Sequence, residues 1–231
     1  MKAHSLETQS SINPEKALHF LKEGNVRFMN NLMVKRDLLE QANDTREAQW
    51  PFAAILSCID SRTSAELIFD QGLGDIFSIR IAGNIVNTDI IGSLEFACKV
   101  AGSKLIVVLG HTNCGAIKGA CDHVEMGNLT ELLSKIQPAV YEENKTLDPS
   151  RRNSENYEFV ENVTDINIYR SVKAIVSRSP LLETMIAESE IAIIGAKYDL
   201  ETGRVHFFDD SLIKDREGIA NLFGTANAKA V

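Results

Sequence analysis

The sequence predicts an α/β fold: a mainly parallel β-sheet flanked by helices, with an N-terminal helical arm and a C-terminal hairpin. From Pro51 onward, short apolar runs alternate with helix-length segments, the strand, helix, strand, helix, strand order that parallel sheets with crossover helices produce. Before Pro51 the pattern is helical and then polar. Near the end, EIAIIGAKYDLETGRVHFF has the strand, turn, strand form of a hairpin.

Asn13-Pro14-Glu15 announces the first helix: Asn can cap, Pro suits the first helical position, and an acid there complements the helix dipole. Ala17, Leu21, Phe28 and Leu32 recur on one face of this arm, residues 13–34, which must pack on the main body or on a neighbouring subunit. Residues 1–12 are read as disordered, and 35–50 as polar and irregular, ending at Gln49-Trp50-Pro51. FAAILSCI (52–59) is a buried strand, TSAELIFDQ (63–71) a helix closed by Gly72, and DIFSIRIA (75–82) a second strand. A helix near 89–101 is closed by Gly102, and KLIVVLGH (104–111) is the most strand-like run in the chain. Helices follow near 115–123, 128–143, 154–178 and 180–188, then a strand over 190–198, a turn at Glu201-Thr202-Gly203 and a short return strand. No linker-like seam or internal repeat divides residues 1–231, so one domain is expected.

Hydrophobic residues at 44% and charged residues at 24% allow a substantial core in a chain of 231 residues. A net charge of −8 and a pI near 5.2 argue against a nucleic-acid or anionic-membrane partner. The compact basic pair Arg151-Arg152 reads as a solvated loop. The N-terminus carries no apolar leader and no run approaches the ~18 residues of a membrane span, so the protein is expected in the cytoplasm. In such a reducing setting, Cys58, Cys98, Cys114 and Cys121 are core residues, metal ligands or nucleophiles rather than disulfides.

Ligands of open α/β sheets bind beyond the carboxyl ends of the strands. FAAILSCI delivers Cys58 there; KLIVVLGH delivers His111, with Cys114 three residues later. Thiolate, imidazole and thiolate with an open fourth position form a catalytic zinc set. Taken alone, Cys58 would be a small core hydrophobe and His111 a loop histidine bonded to backbone; their joint placement favours the metal reading. Gly115 marks a sharp turn into the next helix, whose first amides favour a thiolate or a bound anion. Cys98 and Cys121 lack such a context and are assigned to structure. Asp60 could accept a hydrogen bond from water at the metal, and Arg62 could hold that carboxylate in a bidentate contact.

Cys58-Ile59-Asp60-Ser61-Arg62 followed by His111-Thr112-Asn113-Cys114-Gly115 resembles the paired signature of the β-class carbonic anhydrases. The intervening GDIFSIRIAGNIV and GSLEFACKVAG extend the resemblance, which covers roughly residues 13 to 210. It implies reversible hydration of carbon dioxide to bicarbonate and a proton. Cys58, His111 and Cys114 would hold one zinc ion per subunit, with water or hydroxide as fourth ligand and Asp60 replacing it only in a closed state. Asp60 and Arg62 match the catalytic dyad, in which the arginine keeps the aspartate from the metal. Gln49 matches a glutamine that donates a hydrogen bond to substrate, Phe77 falls on the apolar carbon dioxide pocket, and Gly115 is placed among the substrate-contacting positions. In that family the pocket is completed across a dimer interface, which implies a homodimer or a dimer of dimers with the arm on the partner.

Three positions depart from the family pattern. Thr63-Ser64 stands where Val-Pro is often seen, Phe96 where plant-like members carry tyrosine, and Ile55 where a tryptophan accompanies a non-catalytic bicarbonate site, so that inhibitory site is expected to be absent. No proton shuttle is identified; His4, His19, His123 and His206 are read as surface or structural. Carbon disulfide or carbonyl sulfide hydrolysis on the same zinc set is the nearest alternative, and a non-catalytic zinc-binding regulatory protein is another. An intact Asp60-Arg62 pair and Gln49 weigh against the latter, since structural zinc sites normally close the fourth position with protein.

Overall fold

The computed structural model describes residues 4–224. Its sheet has the order β2-β1-β3-β4-β5, formed by β1 (Ala53–Ser57), β2 (Ile76–Arg80), β3 (Leu105–His111), β4 (Ala192–Tyr198) and β5 (Val205–Phe207). β1 to β4 pair in parallel, and β5 returns antiparallel to β4 as the expected hairpin. The chain leaves β1 for β2 on one side and then crosses to β3 on the other. Such a reversal opens a crevice at the carboxyl ends of the two central strands. The register sets Ser57 opposite Leu109, so the residue after β1 comes level with the end of β3, where His111 lies.

Period-two alternation divides the strand side chains between two apolar layers. Ala54, Leu56, Ile106, Val108 and Ile193 face one layer, built with Leu94 of α5 (Thr88–Glu95) and Ile168, Val172 and Ile175 of α9 (Tyr157–Arg178). Ala53, Ile55, Leu105, Val107 and Ile194 face the other, against Ala17 and Leu21 of α2 (Pro14–Met29) and Ile68 of α4 (Ala65–Ile68). A third cluster joins Cys58 and Cys114 to Ile117 of α6 (Gly115–Cys121), Leu133 of α7 (Gly127–Ser134), Val140 of α8 (Gln137–Glu142) and Val160 of α9. The carboxyl edge of the sheet therefore rests on packed helix rather than open loop. Among the described residues, no helix is long and apolar enough to cross a membrane.

Several expectations are corrected. Within the stretch read as disordered, Leu6–Ser10 form α1, capped by Ser5, while residues 1–3 lie outside the described set. A polar residue holds this helix in place: the buried Gln9 amide donates to Pro51 O at 2.7 Å and to Ala101 O at 2.8 Å. The irregular stretch 35–50 contains α3 (Leu38–Asp44), capped by Asp37, whose buried Gln41 accepts from the Leu73 amide at 3.2 Å. The helix over 63–71 shortens to the single turn of α4, and Asp70 breaks it with a φ of 45°. The helix near 89–101 ends α5 at Glu95 and continues as a π turn, Phe96–Val100. The helix over 128–143 divides into α7 and α8, with Pro138 in the first turn of the second. The 180–188 segment is α10 (Pro180–Ala187), and α11 (Arg216–Gly224) follows the hairpin without having been anticipated.

The arm packs on its own chain's sheet, and its helix ends before Leu32, which is exposed. Gly24 permits the close fit, since a Cβ there would lie 1.7 Å from Phe69 O. An ion cluster fixes the end of the arm: the wholly buried Asp70 carboxylate accepts from Arg27, Arg36 and the Val34 amide. Burial alone would raise the Asp70 carboxyl, but the donors of Arg27 and Arg36 outweigh it and hold it below its ordinary value. A depressed folded value means that this stabilisation is present above the unfolded pKa of about 3.9 and is lost as pH falls through the folded value. Arg36→Ala leaves that buried charge half-compensated and is expected to cost roughly 3 kcal/mol in urea unfolding near neutral pH, a deficit that shrinks in acid.

Candidate metal centre

Cys58 follows β1 directly, His111 ends β3, and Cys114 caps α6. Their donor atoms lie within 4.8 Å of one another, and all three residues are buried. Cys58 Sγ and Cys114 Sγ are 3.9 Å apart. Two thiolates at 2.3 Å from a tetrahedral zinc would stand about 3.8 Å apart, so the pair already has the spacing of two ligands.

The imidazole is oriented for the same role. His111 Nδ1 lies 2.9 Å from Thr112 O, and a carbonyl can only accept, so Nδ1 carries the proton and Nε2 a free lone pair. That Nε2 is buried without a hydrogen-bond partner in the protein. A buried, unpaired acceptor is costly unless a cation takes the lone pair. The donor set therefore fits a zinc ion, by chemistry and by the orphaned nitrogen.

The thiols titrate as a pair. The Cys114 side chain, by donating to Cys58, holds the Cys58 thiol far below its ordinary value against the opposing effect of burial, with the Gly83 amide assisting. The same contact, together with burial, pushes Cys114 up, although the amides of Ala116 and Ile117 at the start of α6 favour its thiolate. A divalent cation held between the two sulfurs would favour the thiolate at both. By contrast, burial pushes the Cys98 and Cys121 thiols up to about 12, consistent with structural roles.

Asp60 sits at the edge of this triangle, its Oδ2 3.9 Å from His111 Nε2. Both of its carboxylate oxygens are taken by Arg62, from Nε at 2.9 Å and Nη2 at 2.7 Å. The hydrogen bonds from Arg62 hold the Asp60 carboxyl well below the usual carboxylate range. The arrangement is thus the one with Asp60 on the arginine rather than among the metal-capable donors.

Sequence reasoning missed the supports. Gly83, with a φ of 66°, points its amide at Cys58 Sγ at 3.3 Å, and Asn167 of α9 holds the Gly83 carbonyl at 2.9 Å. A side chain at position 83 would also meet Ile136 Cδ1 at 2.7 Å. Glu161 accepts from the Asn113 amide at 3.2 Å inside the His111–Cys114 loop, and Lys197 of β4 holds Glu161 at 3.3 Å. The glycine in RIAGN was a legible signal; the α9 contacts depend on tertiary packing.

Gln49 and Phe77 are not brought to the centre within one chain. Gln49 is exposed before β1, at the opposite end of the strand from Cys58, and β1 alone separates them by roughly 15 Å. Phe77 lies on the edge strand β2, its ring 6.2 Å from Phe96, and lines a cavity of about 490 Å³ with Ile79, Thr88 and Gly92. Gly115 opens α6 beside Cys114, and a Cβ there would meet nothing within 4 Å.

A family model described as carbonic anhydrase matches residues 53–205. Carbonic anhydrase 2 of Mycobacterium tuberculosis is 35% identical over 201 residues, covering 83% of this chain and 91% of that protein. Among solved structures, a Coccomyxa β-carbonic anhydrase superposes with a TM-score of 0.69 at 22% identity, covering 78% of this chain and 81% of its own. One of the tetrameric β-carbonic anhydrases of Sordaria macrospora gives a TM-score of 0.63 at 26% identity, covering 72% and 85%. The sheet, the matched segment and these relatives agree, and the chain belongs to the carbonic anhydrase family, in its β-class fold, as an enzyme of zinc-dependent carbon dioxide hydration.

Proposed function

We propose that the family's reaction runs in this chain at Cys58, His111 and Cys114, which hold one zinc ion per subunit, with Asp60 and Arg62 as the dyad beside it. The observation that carries this reading is the orphaned His111 Nε2 facing two thiols at ligand spacing, with the Asp60–Arg62 pair 3.9 Å away. When bound, zinc is the Lewis acid that makes an oxygen nucleophile available near neutral pH.

The remaining work belongs to the chain. Asp60, ionised because Arg62 donates to both oxygens, can only accept, so its carboxylate accepts a hydrogen bond from the attacking water and leaves a lone pair of that oxygen turned toward carbon dioxide. Arg62 keeps that carboxylate from swinging inward. Gly115 leaves room where a substrate oxygen would lie. The apolar walls are supplied by a second copy: Gln49 donates its amide hydrogen bond, and Phe77 its ring, to the partner's centre. Their distance from their own Cys58, together with the exposed Phe96 whose ring meets Phe77 on the β2 edge, supports this homodimer, singly or as a dimer of dimers. Four buried, unpaired cysteines support a reducing, cytoplasmic setting. The test is metal content: zinc analysis is expected to give one ion per chain, lost in His111→Ala, and full retention of zinc in that variant would refute the ligand set.

A further inference from the structure

The backbone between Cys58 and Asp60 is gripped from two sides. The Thr63 hydroxyl shares its one proton between Cys58 O at 3.1 Å and Asp60 O at 2.9 Å. Arg80, at the end of β2, forks onto the same two carbonyls, with Nε 3.1 Å from Cys58 O and Nη2 2.6 Å from Asp60 O. The Thr63 amide adds a bond of 3.0 Å to Asp60 O. Thr63 is buried, whereas Ser64, the N-cap of α4, makes no side-chain capping bond. Thr63, rather than the cap, therefore organises the turn that joins the first thiol to the dyad.

We infer that Thr63 is a positioning residue: its hydroxyl, with Arg80 as the second jaw, fixes the Cys58–Asp60 turn and so keeps the Asp60 carboxylate on Arg62. A valine at this position would fill the same space without the donor, and the turn would rest on Arg80 and one amide. The alternative is that Thr63 is a buried filler whose hydroxyl merely satisfies itself. The geometry argues against that, because the hydroxyl reaches the backbone of both functional residues at once, where a filler would need one acceptor. The inference rests on the proposed role of Asp60.

Thr63→Val and Thr63→Ser separate the two readings. In the valine variant both carbonyls keep their Arg80 donor, so no buried acceptor is orphaned and the fold is retained. Misplacing a reacting group by a fraction of an ångström is costly. In the zinc-loaded enzyme, Thr63→Val should therefore lower kcat about tenfold with KM and zinc content near wild type, while Thr63→Ser stays within about twofold. Independently of activity, hydrogen exchange of the amides at positions 62 and 63 in the full chain should rise about tenfold in the valine variant only, without a global rise. Unchanged kcat and exchange in Thr63→Val would overturn the inference. So would loss of zinc in step with activity, which would make Thr63 a support of Cys58 alone. If wild-type enzyme showed no hydration, the activity reading would fall, and the exchange data would still decide on the anchor.

Discussion

Asp60→Asn is expected to retain zinc and lose hydration activity by about 100- to 1,000-fold, the range that losing one preorganised hydrogen-bonding group at a reacting centre commonly costs. The substitution is nearly isosteric, and its carbonyl oxygen can still accept from Arg62 Nε, as Asp60 Oδ1 does at 2.9 Å. Its NH2 group cannot accept from Arg62 Nη2, which now meets Asp60 Oδ2 at 2.7 Å, so one bond and the charge disappear. The hydrogen-bond acceptor that orients the attacking oxygen goes with them. None of the three buried donors is altered, which is why metal content should stay level while stopped-flow turnover collapses. If zinc fell in parallel with activity, Asp60 would be acting mainly as a ligand.

His111→Ala should be the more damaging change, with zinc affinity falling more than about 100-fold, since even the outer partners of a ligand cost 10- to 100-fold. The reason lies in the thiol pair. Cys58 and Cys114, 3.9 Å apart, resist double ionisation without a cation, and with two donors left a zinc ion compensates them poorly. Thermal melts supply the complementary sign. Excess zinc stabilises the native wild type by about 4 kcal/mol at a thousandfold over its dissociation constant, whereas His111→Ala should show little shift on zinc addition. Without metal, the alanine variant no longer buries an unpaired Nε2, which offsets part of the packing it loses. An equal zinc-dependent shift in wild type and variant would remove His111 from the centre.

What the sequence made legible follows from periodicity and strand ends. FAAILSCI and KLIVVLGH place Cys58 and His111 at one edge because parallel strands put their carboxyl ends together, and the register of β1 on β3 then brings the two level. Helix entry after Cys114 was readable from Gly115, and the bidentate Asp60–Arg62 contact from the place of both residues just after Cys58. Elements held by polar anchors were not readable. α1 is short and polar, and its place depends on the Gln9 amide finding Pro51 and Ala101, contacts more than forty residues away. α3 similarly depends on Gln41 reaching Leu73. Of the clamp, Thr63 stood out as a departure beside Asp60, whereas Arg80 did not, because a charged residue closing an apolar strand has an ordinary local explanation. Only the shared carbonyls reveal their joint role.

The central claim, carbon dioxide hydration at the Cys58, His111 and Cys114 centre under the control of Asp60, is tested most directly by stopped-flow pH-indicator measurement on zinc-loaded wild-type protein. The predicted result is rapid acidification on mixing with carbon dioxide, proportional to enzyme and abolished when zinc is chelated. No acidification above the buffer rate, with one zinc per chain confirmed in the same sample, would contradict it.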